Sequence, residues 1–110
     1  MSLRRGDIHW IAFPDRNPEG SEIQKTRPGV IVSRTKANEF RRTVIIVPLT
    51  HGSKEFPPIV IPIPSAGEAS KAVCDQSAAV DKKRIGARIG ALTDAELAHL
   101  GQCLRKVLNI

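Results

Sequence analysis

Residues 27–33, Arg27-Pro28-Gly29-Val30-Ile31-Val32-Ser33, set a β-branched run directly behind a proline and a glycine. Pro28 makes a helix through this stretch improbable, and Val30-Ile31-Val32 has the stiff side chains that suit a short strand. Ahead of it, Asp15 to Thr26 is polar, with Pro18, Gly20 and a single apolar residue, Ile23. At about twelve residues it is long enough to suspect a functional loop that leads to Arg27. Working outward, Asp7 to Phe13 reads as a first strand that Pro14 ends, and Thr43 to Leu49 as a third, more apolar one. Trp10 is expected in the core. Pro58 to Pro64 alternates proline with β-branched residues, which suits only an edge strand, because each proline lacks a ladder donor.

Further along, Lys71 to Asp75 and Ala78 to Val80 read as short strands, Asp81-Lys82-Lys83-Arg84 as one helical turn, and Ile85 to Leu92 as a bent last strand. A helix opens at Thr93, whose side chain can cap it while Glu96 reaches back in a capping box. Its apolar stripe is Leu97, Leu100, Leu104, Val107 and Leu108. A succession of short strands with one terminal helix predicts a mainly β fold, a small, strongly curved antiparallel barrel or half-open sheet.

The 110 residues make one domain with one core, and 41% apolar against 25% charged residues is an ordinary globular balance. No apolar run approaches the roughly 18 residues of a spanning helix. The basic start, Met1 to Asp7, leads into no secretory signal, so the expected compartment is the cytoplasm. A net charge of +6 and a pI near 9.9 favour polyanionic partners. Cys74 and Cys103 have no neighbours at metal-ligand spacing and read as buried, reduced thiols. His9 and His51 have no evident catalytic partner. With no tyrosine and one tryptophan, any contact with a nucleic acid must rest on charge and hydrogen bonds instead of stacking.

Several motifs then fall into one order. Gly6-Asp7-Ile8 opens a strand and Gly20-Ser21-Glu22 lies in the loop; Arg27-Pro28 leads into Val30-Ile31-Val32-Ser33. Val47-Pro48-Leu49-Thr50, Cys74-Asp75-Gln76, Asp81-Lys82-Lys83-Arg84-Ile85 and Leu92-Thr93-Asp94 follow. Nearly end to end, the chain resembles the MazF/PemK family of toxin ribonucleases. The resemblance implies an SH3-like β-barrel with helices, of the type MazF and CcdB toxins share, and a homodimer. It also implies cleavage of single-stranded RNA without metal or other cofactor, and inhibition by a cognate antitoxin whose acidic, disordered segment occupies the RNA groove. DNA enters only through the complex with the antitoxin.

Cleavage of RNA without a metal places definite demands on a site. The 2′-hydroxyl must lose its proton, the phosphorane must be stabilised, and the departing 5′ oxygen must gain a proton. Arg27 meets the second demand, since a guanidinium offers a fixed fork of donors that matches phosphate oxygens. By resemblance, Thr50 holds the phosphate and Asp75 is the base. Glu22, Gln24, Lys25, Gln76, Ser77, Lys82, Lys83 and Arg84 are the expected RNA contacts. The chain departs from the family at Val73, where some members carry a basic residue, the supposed acid, two positions before the aspartate, so Arg27 would have to serve as both stabiliser and proton source. It departs again at Ser77-Ala78-Ala79, where relatives carry an arginine and a threonine, and at Ile23-Gln24-Lys25, which replaces a glycine-rich stretch. Two other readings stay open here: a CcdB-type toxin that poisons DNA gyrase, and a relative that binds RNA or antitoxin without cutting.

Overall fold

The computed structural model describes residues 2–13 and 25–110. Seven strands, β1 (Asp7–Phe13), β2 (Lys25–Ile31), β3 (Thr43–His51), β4 (Val60–Pro62), β5 (Ser70–Val73), β6 (Ala78–Asp81) and β7 (Ile85–Ala91), accompany two α-helices, α1 (Thr35–Phe40) and α2 (Asp94–Leu108). Every strand pair is antiparallel, in the order β4-β5-β3-β2-β1-β7, with β6 also paired to β3. Among the described residues the path is open, so of the two forms expected, the curved half-open sheet fits better than a closed ring. The proline-rich segment supplies the outermost strand, β4, as its missing donors require.

The β-branched run after Pro28 shows why both faces of this sheet are covered. Val30 is fully buried in a cluster with Ile8, Val47, Leu49, Ile61, Ala72, Cys74, Leu100 and Cys103, which lies between the sheet and α2. Its neighbour Ile31 points the other way, into a second cluster with Leu3, Ile11, Val44, Ile46, Val80 and Ile85. Gly29 serves the second face. A Cβ there would overlap Ile11 Cδ1 and come within 3.4 Å of the Val47 carbonyl, so only glycine leaves Ile11 its place.

Strand β3 has different neighbours along its length. Ile46 pairs with Ile31 of β2 on one side and Ala78 of β6 on the other, while Leu49 to His51 pair with β5. Three residues separate Leu49 from Ile46, but six separate their partners Ala72 and Ala78; the surplus forms a 3-10 turn, Cys74–Gln76. The turn predicted at Asp81 to Arg84 is present as a 3-10 helix over Lys82–Arg84, with the Asp81 carboxylate accepting the Lys83 N–H at 2.9 Å.

Helix α2 begins as its capping box requires: the Glu96 N–H donates to Thr93 Oγ1 at 3.1 Å and the Thr93 N–H to Glu96 Oε1 at 2.8 Å. Glu96 does more, because the Ser65 N–H donates to its other oxygen at 3.0 Å and the Ser65 hydroxyl also donates to the carboxylate. The helix start is thereby tied to the connection between β4 and β5. Gly6, at φ +96°, enters β1 against Leu97 of α2, and its N–H donates to the Ile31 carbonyl at 2.7 Å. Both cysteines are buried and unpaired, as expected, and burial pushes the Cys74 thiol up to about 11, with nearby Cys103 and Asp75 adding to the effect.

Three expectations are corrected. Trp10 is 41% exposed, because it lies on a stretch of the sheet's outer face that α2 does not cover. Leu108 is exposed too, since the buried stripe of α2 passes through Leu100 and Cys103 and runs out at the C-terminus. Helix α1 was not anticipated from Thr35 to Phe40, a segment with only Ala37 and Phe40 apolar and no side-chain cap. Buried Asn38 holds it from the inside, donating to the Leu3 carbonyl at 2.9 Å and accepting from the Ser33 hydroxyl.

Two outcomes follow for stability. Gly29→Val forces Ile11 from its position and lowers the unfolding free energy by about 1–3 kcal/mol, measurable by urea denaturation. For Glu96, burial alone would raise the pKa, but the hydrogen bonds from Ser65 and Thr93 outweigh it and lower the pKa from 4.5. A lowered folded-state pKa contributes stability above the unfolded value that is lost as the pH falls through the folded one. The stability gap between wild type and Glu96→Gln is therefore full at neutral pH and shrinks below about pH 4.5, readable from unfolding midpoints across the acid range.

Candidate active site

Arg27 lies within β2, not at the end of a loop: it pairs with Ile11 of β1 and is exposed. Thr50 likewise lies inside β3, half-buried and paired with Lys71 of β5. The β2–β3 ladder runs through Ile31–Ile46, Val30–Val47 and Gly29–Pro48, and the same register continued by two residues sets Arg27 level with Thr50. No pairing joins the two strands beyond Gly29–Pro48, although both continue. Pro48 has no N–H to donate, and past it β3 turns its hydrogen bonds to β5. Arg27 and Thr50 thus flank the place where two strands part.

Cross-strand partners in an antiparallel pair point to the same face, with Cβ atoms about 4.5–5.5 Å apart. Arg27, Gly29 and Ile31 alternate onto the face of the second cluster, as Thr50, Pro48 and Ile46 do on β3. The site is the polar rim of that face, where the row of buried isoleucines gives way to a hydroxyl and a guanidinium. Arg27 is exposed, and among the described residues its side chain makes no ion pair or hydrogen bond.

Asp75 is exposed in the 3-10 turn, on the side of β3 away from β2. Its neighbour Cys74 anchors that turn in the core facing α2. The turn stands opposite Val47 and Pro48, between the stretch of β3 that pairs with β5 and the stretch that pairs with β6. Gln76 is exposed and Ser77 half-buried beside it. Lys82, Lys83 and Arg84 lie at the far end of β1: Arg84 Nη1 donates to the Ala12 carbonyl at 3.5 Å, and Ile85 pairs with Ile11, the partner of Arg27. Lys83 and Arg84, with Ala12 and Asp81, line a cavity of about 310 Å³ there. Lys25 is in β2 opposite Phe13, while Glu22 and Gln24 lie outside the described residues.

One residue beside the site was not singled out from the sequence. Lys71 stands directly opposite Thr50 on β5, half-buried, between Thr50 and Pro62 of β4. The only local signal is alternation: Ser70 and Ala72 are buried, so Lys71 and Val73 turn to the other face. Its partner, however, is 21 positions away, across a proline-rich segment whose pairing the sequence does not reveal.

Comparison with known proteins identifies the family. The family described as PemK-like, MazF-like toxin of type II toxin-antitoxin system matches residues 4–108. The chain is 29% identical over 118 residues to endoribonuclease MazF9 of Mycobacterium tuberculosis (strain ATCC 25618 / H37Rv), covering 98% of each. To endoribonuclease MazF of Staphylococcus epidermidis it is 28% identical over 108 residues, covering 93% of this chain and 88% of the relative. Among solved structures, a MazE–MazF crystal form from Deinococcus radiodurans superposes with a TM-score of 0.84 at 19% identity, over 100% of this chain and 98% of the other. An endoribonuclease in complex with its cognate antitoxin from a mycobacterial species superposes with a TM-score of 0.76 at 19% identity, over 97% and 95%. At such identities the structures speak for the fold, while the match over nearly the whole length speaks for descent: the chain belongs to the PemK-like, MazF-like toxin family of type II toxin-antitoxin systems.

Proposed function

We propose that this chain is an endoribonuclease toxin that cuts single-stranded RNA by attack of the 2′-hydroxyl on the adjacent phosphorus, leaving 2′,3′-cyclic phosphate and 5′-hydroxyl ends. What supports the reading is the β2–β3 register, which ends at Gly29–Pro48 and, continued by two residues, brings Arg27 level with Thr50 where the strands part. Arg27 grips the non-bridging oxygens with two parallel N–H donors and meets the charge that builds on the phosphorane. Thr50 orients the phosphate through its hydroxyl, which titrates too high to be an effective base. Asp75 accepts the proton of the 2′-hydroxyl, its carboxylate exposed and without a hydrogen bond among the described residues.

The RNA runs from this centre toward Lys82, Lys83 and Arg84 on one side and Gln76 and Ser77 on the other, and Glu22, Gln24 and Lys25 are further contacts for it. Backbone charge neutralisation supplies most of the affinity, in keeping with a net charge of +6. A cognate antitoxin neutralises the enzyme with an acidic, disordered segment laid along the same basic rim; the relatives solved as MazE–MazF and toxin–antitoxin complexes support such a partner. The toxin acts as a homodimer in the cytoplasm and meets DNA only through the antitoxin complex. The match to PemK- and MazF-like toxins favours this reading over a gyrase poison.

Incubation with a mixed single-stranded RNA pool in the presence of a chelator is expected to yield new ends bearing 2′,3′-cyclic phosphate. Arg27→Ala is expected to lower the cleavage rate by about 10²–10³-fold. Equal cleavage patterns and rates for wild type and Arg27→Ala would remove the reading.

A further inference from the structure

We infer that Lys71 is a catalytic residue of this site, whose ammonium binds the leaving 5′ oxygen of the scissile phosphodiester and gives it a proton. The inference rests on the ribonuclease reading above and assigns the one demand that Arg27, Thr50 and Asp75 leave unmet. A guanidinium does not give up its proton at any relevant pH, so Arg27 stabilises charge but cannot protonate a departing alkoxide. An ammonium carries three donors and a proton that can be transferred.

Its position suits the task. Thr50 and Lys71 are direct partners across β3 and β5, so their side chains rise from the same face, and Arg27 rises level with Thr50 from the other neighbouring strand. The three form one row across three strands, a hydroxyl between two cations. Along β5 the next residue on that face is Val73, which is apolar, so Lys71 is the only cation this strand presents. Its opposite partner, Pro62, has no polar side chain to engage it, and among the described residues Lys71 makes no ion pair. Asp75 lies beyond the other end of the same strand. A phosphate held at Thr50 has Lys71 directly beside it on β5, while Asp75 lies further along, past the end of that strand.

The step balances without a further reagent. Asp75 takes the proton of the 2′-hydroxyl as the 2′ oxygen–phosphorus bond forms. The phosphorus–5′ oxygen bond breaks, and its electron pair accepts a proton from Lys71. Water then returns a proton to the amine and removes one from the carboxyl.

The test compares single-turnover cleavage of one RNA oligonucleotide, carrying a site the wild type cuts, with its analogue bearing sulfur at the 5′ bridging position. A thiolate leaves without protonation. Lys71→Met is expected to cleave the oxygen substrate at least about 10²-fold more slowly than wild type. On the sulfur substrate it should come within a few-fold of wild type, whereas Arg27→Ala stays slow on both. Should Lys71→Met fail to match the wild-type unfolding temperature, Lys71→Gln takes its place. Cleavage of the oxygen substrate by the Lys71 variant within about threefold of wild type, or equal slowness on both substrates, overturns the assignment. Failure of wild type to cleave either substrate overturns the ribonuclease reading itself, which separates the two.

Discussion

The register of β3 is the constraint on which the structure depends. One strand of nine residues serves β2 on one side and β6 and then β5 on the other, and its alternation divides two apolar clusters. A slip by one residue would turn Val47 and Leu49 away from α2 and set Val44, Ile46 and Thr50 in their place. Burial of fully enclosed Ile46, Val47 and Leu49 is worth on the order of 1.5–3 kcal/mol each, which fixes the register firmly. The placement of Thr50 is inherited from that burial and costs the site nothing further.

The same strand explains why the rim opens where it does. Pro48 cannot donate to a ladder, and it falls at the last recorded pair between β2 and β3. Beyond it β3 is held by β5 and β2 by β1, so each strand stays paired although the two no longer pair with each other. Side chains on paired strands are better fixed than side chains on loops, and electrostatic stabilisation depends on such fixing, because donors already aimed at the developing charge need no reorganisation. The 3-10 turn that carries Asp75 is anchored in a similar way, by Cys74 in the core beneath it.

Much of this was legible in the sequence. The strand at Asp7–Phe13, the helical turn at Lys82–Arg84, the proline-limited edge strand and the capping box at Thr93 and Glu96 all follow from local rules, in which a residue's type fixes its neighbours' conformation. What escaped depends on contacts distant in sequence. Trp10 alternates correctly with Ile8, yet whether it is covered depends on how far α2 extends across the sheet. Helix α1 has little apolar periodicity and depends on Asn38 reaching the carbonyl of Leu3. Lys71 stands beside Thr50 only because β5 pairs with β3, a contact that no local pattern states. Arg27 and Thr50 were singled out through ordered motifs, and their common level is a property of the register that no motif states.

The central claim is that one scissile phosphate sits between Arg27 and Thr50. A crystal structure of the full chain bound to an RNA whose 2′-hydroxyl at the cleavage position is replaced by methoxy tests it most directly. The account predicts a phosphate with two non-bridging oxygens on the Arg27 guanidinium and one within hydrogen-bond reach of the Thr50 hydroxyl. RNA bound along another face, with the Arg27 side chain engaged elsewhere and no phosphate near Thr50, would contradict it.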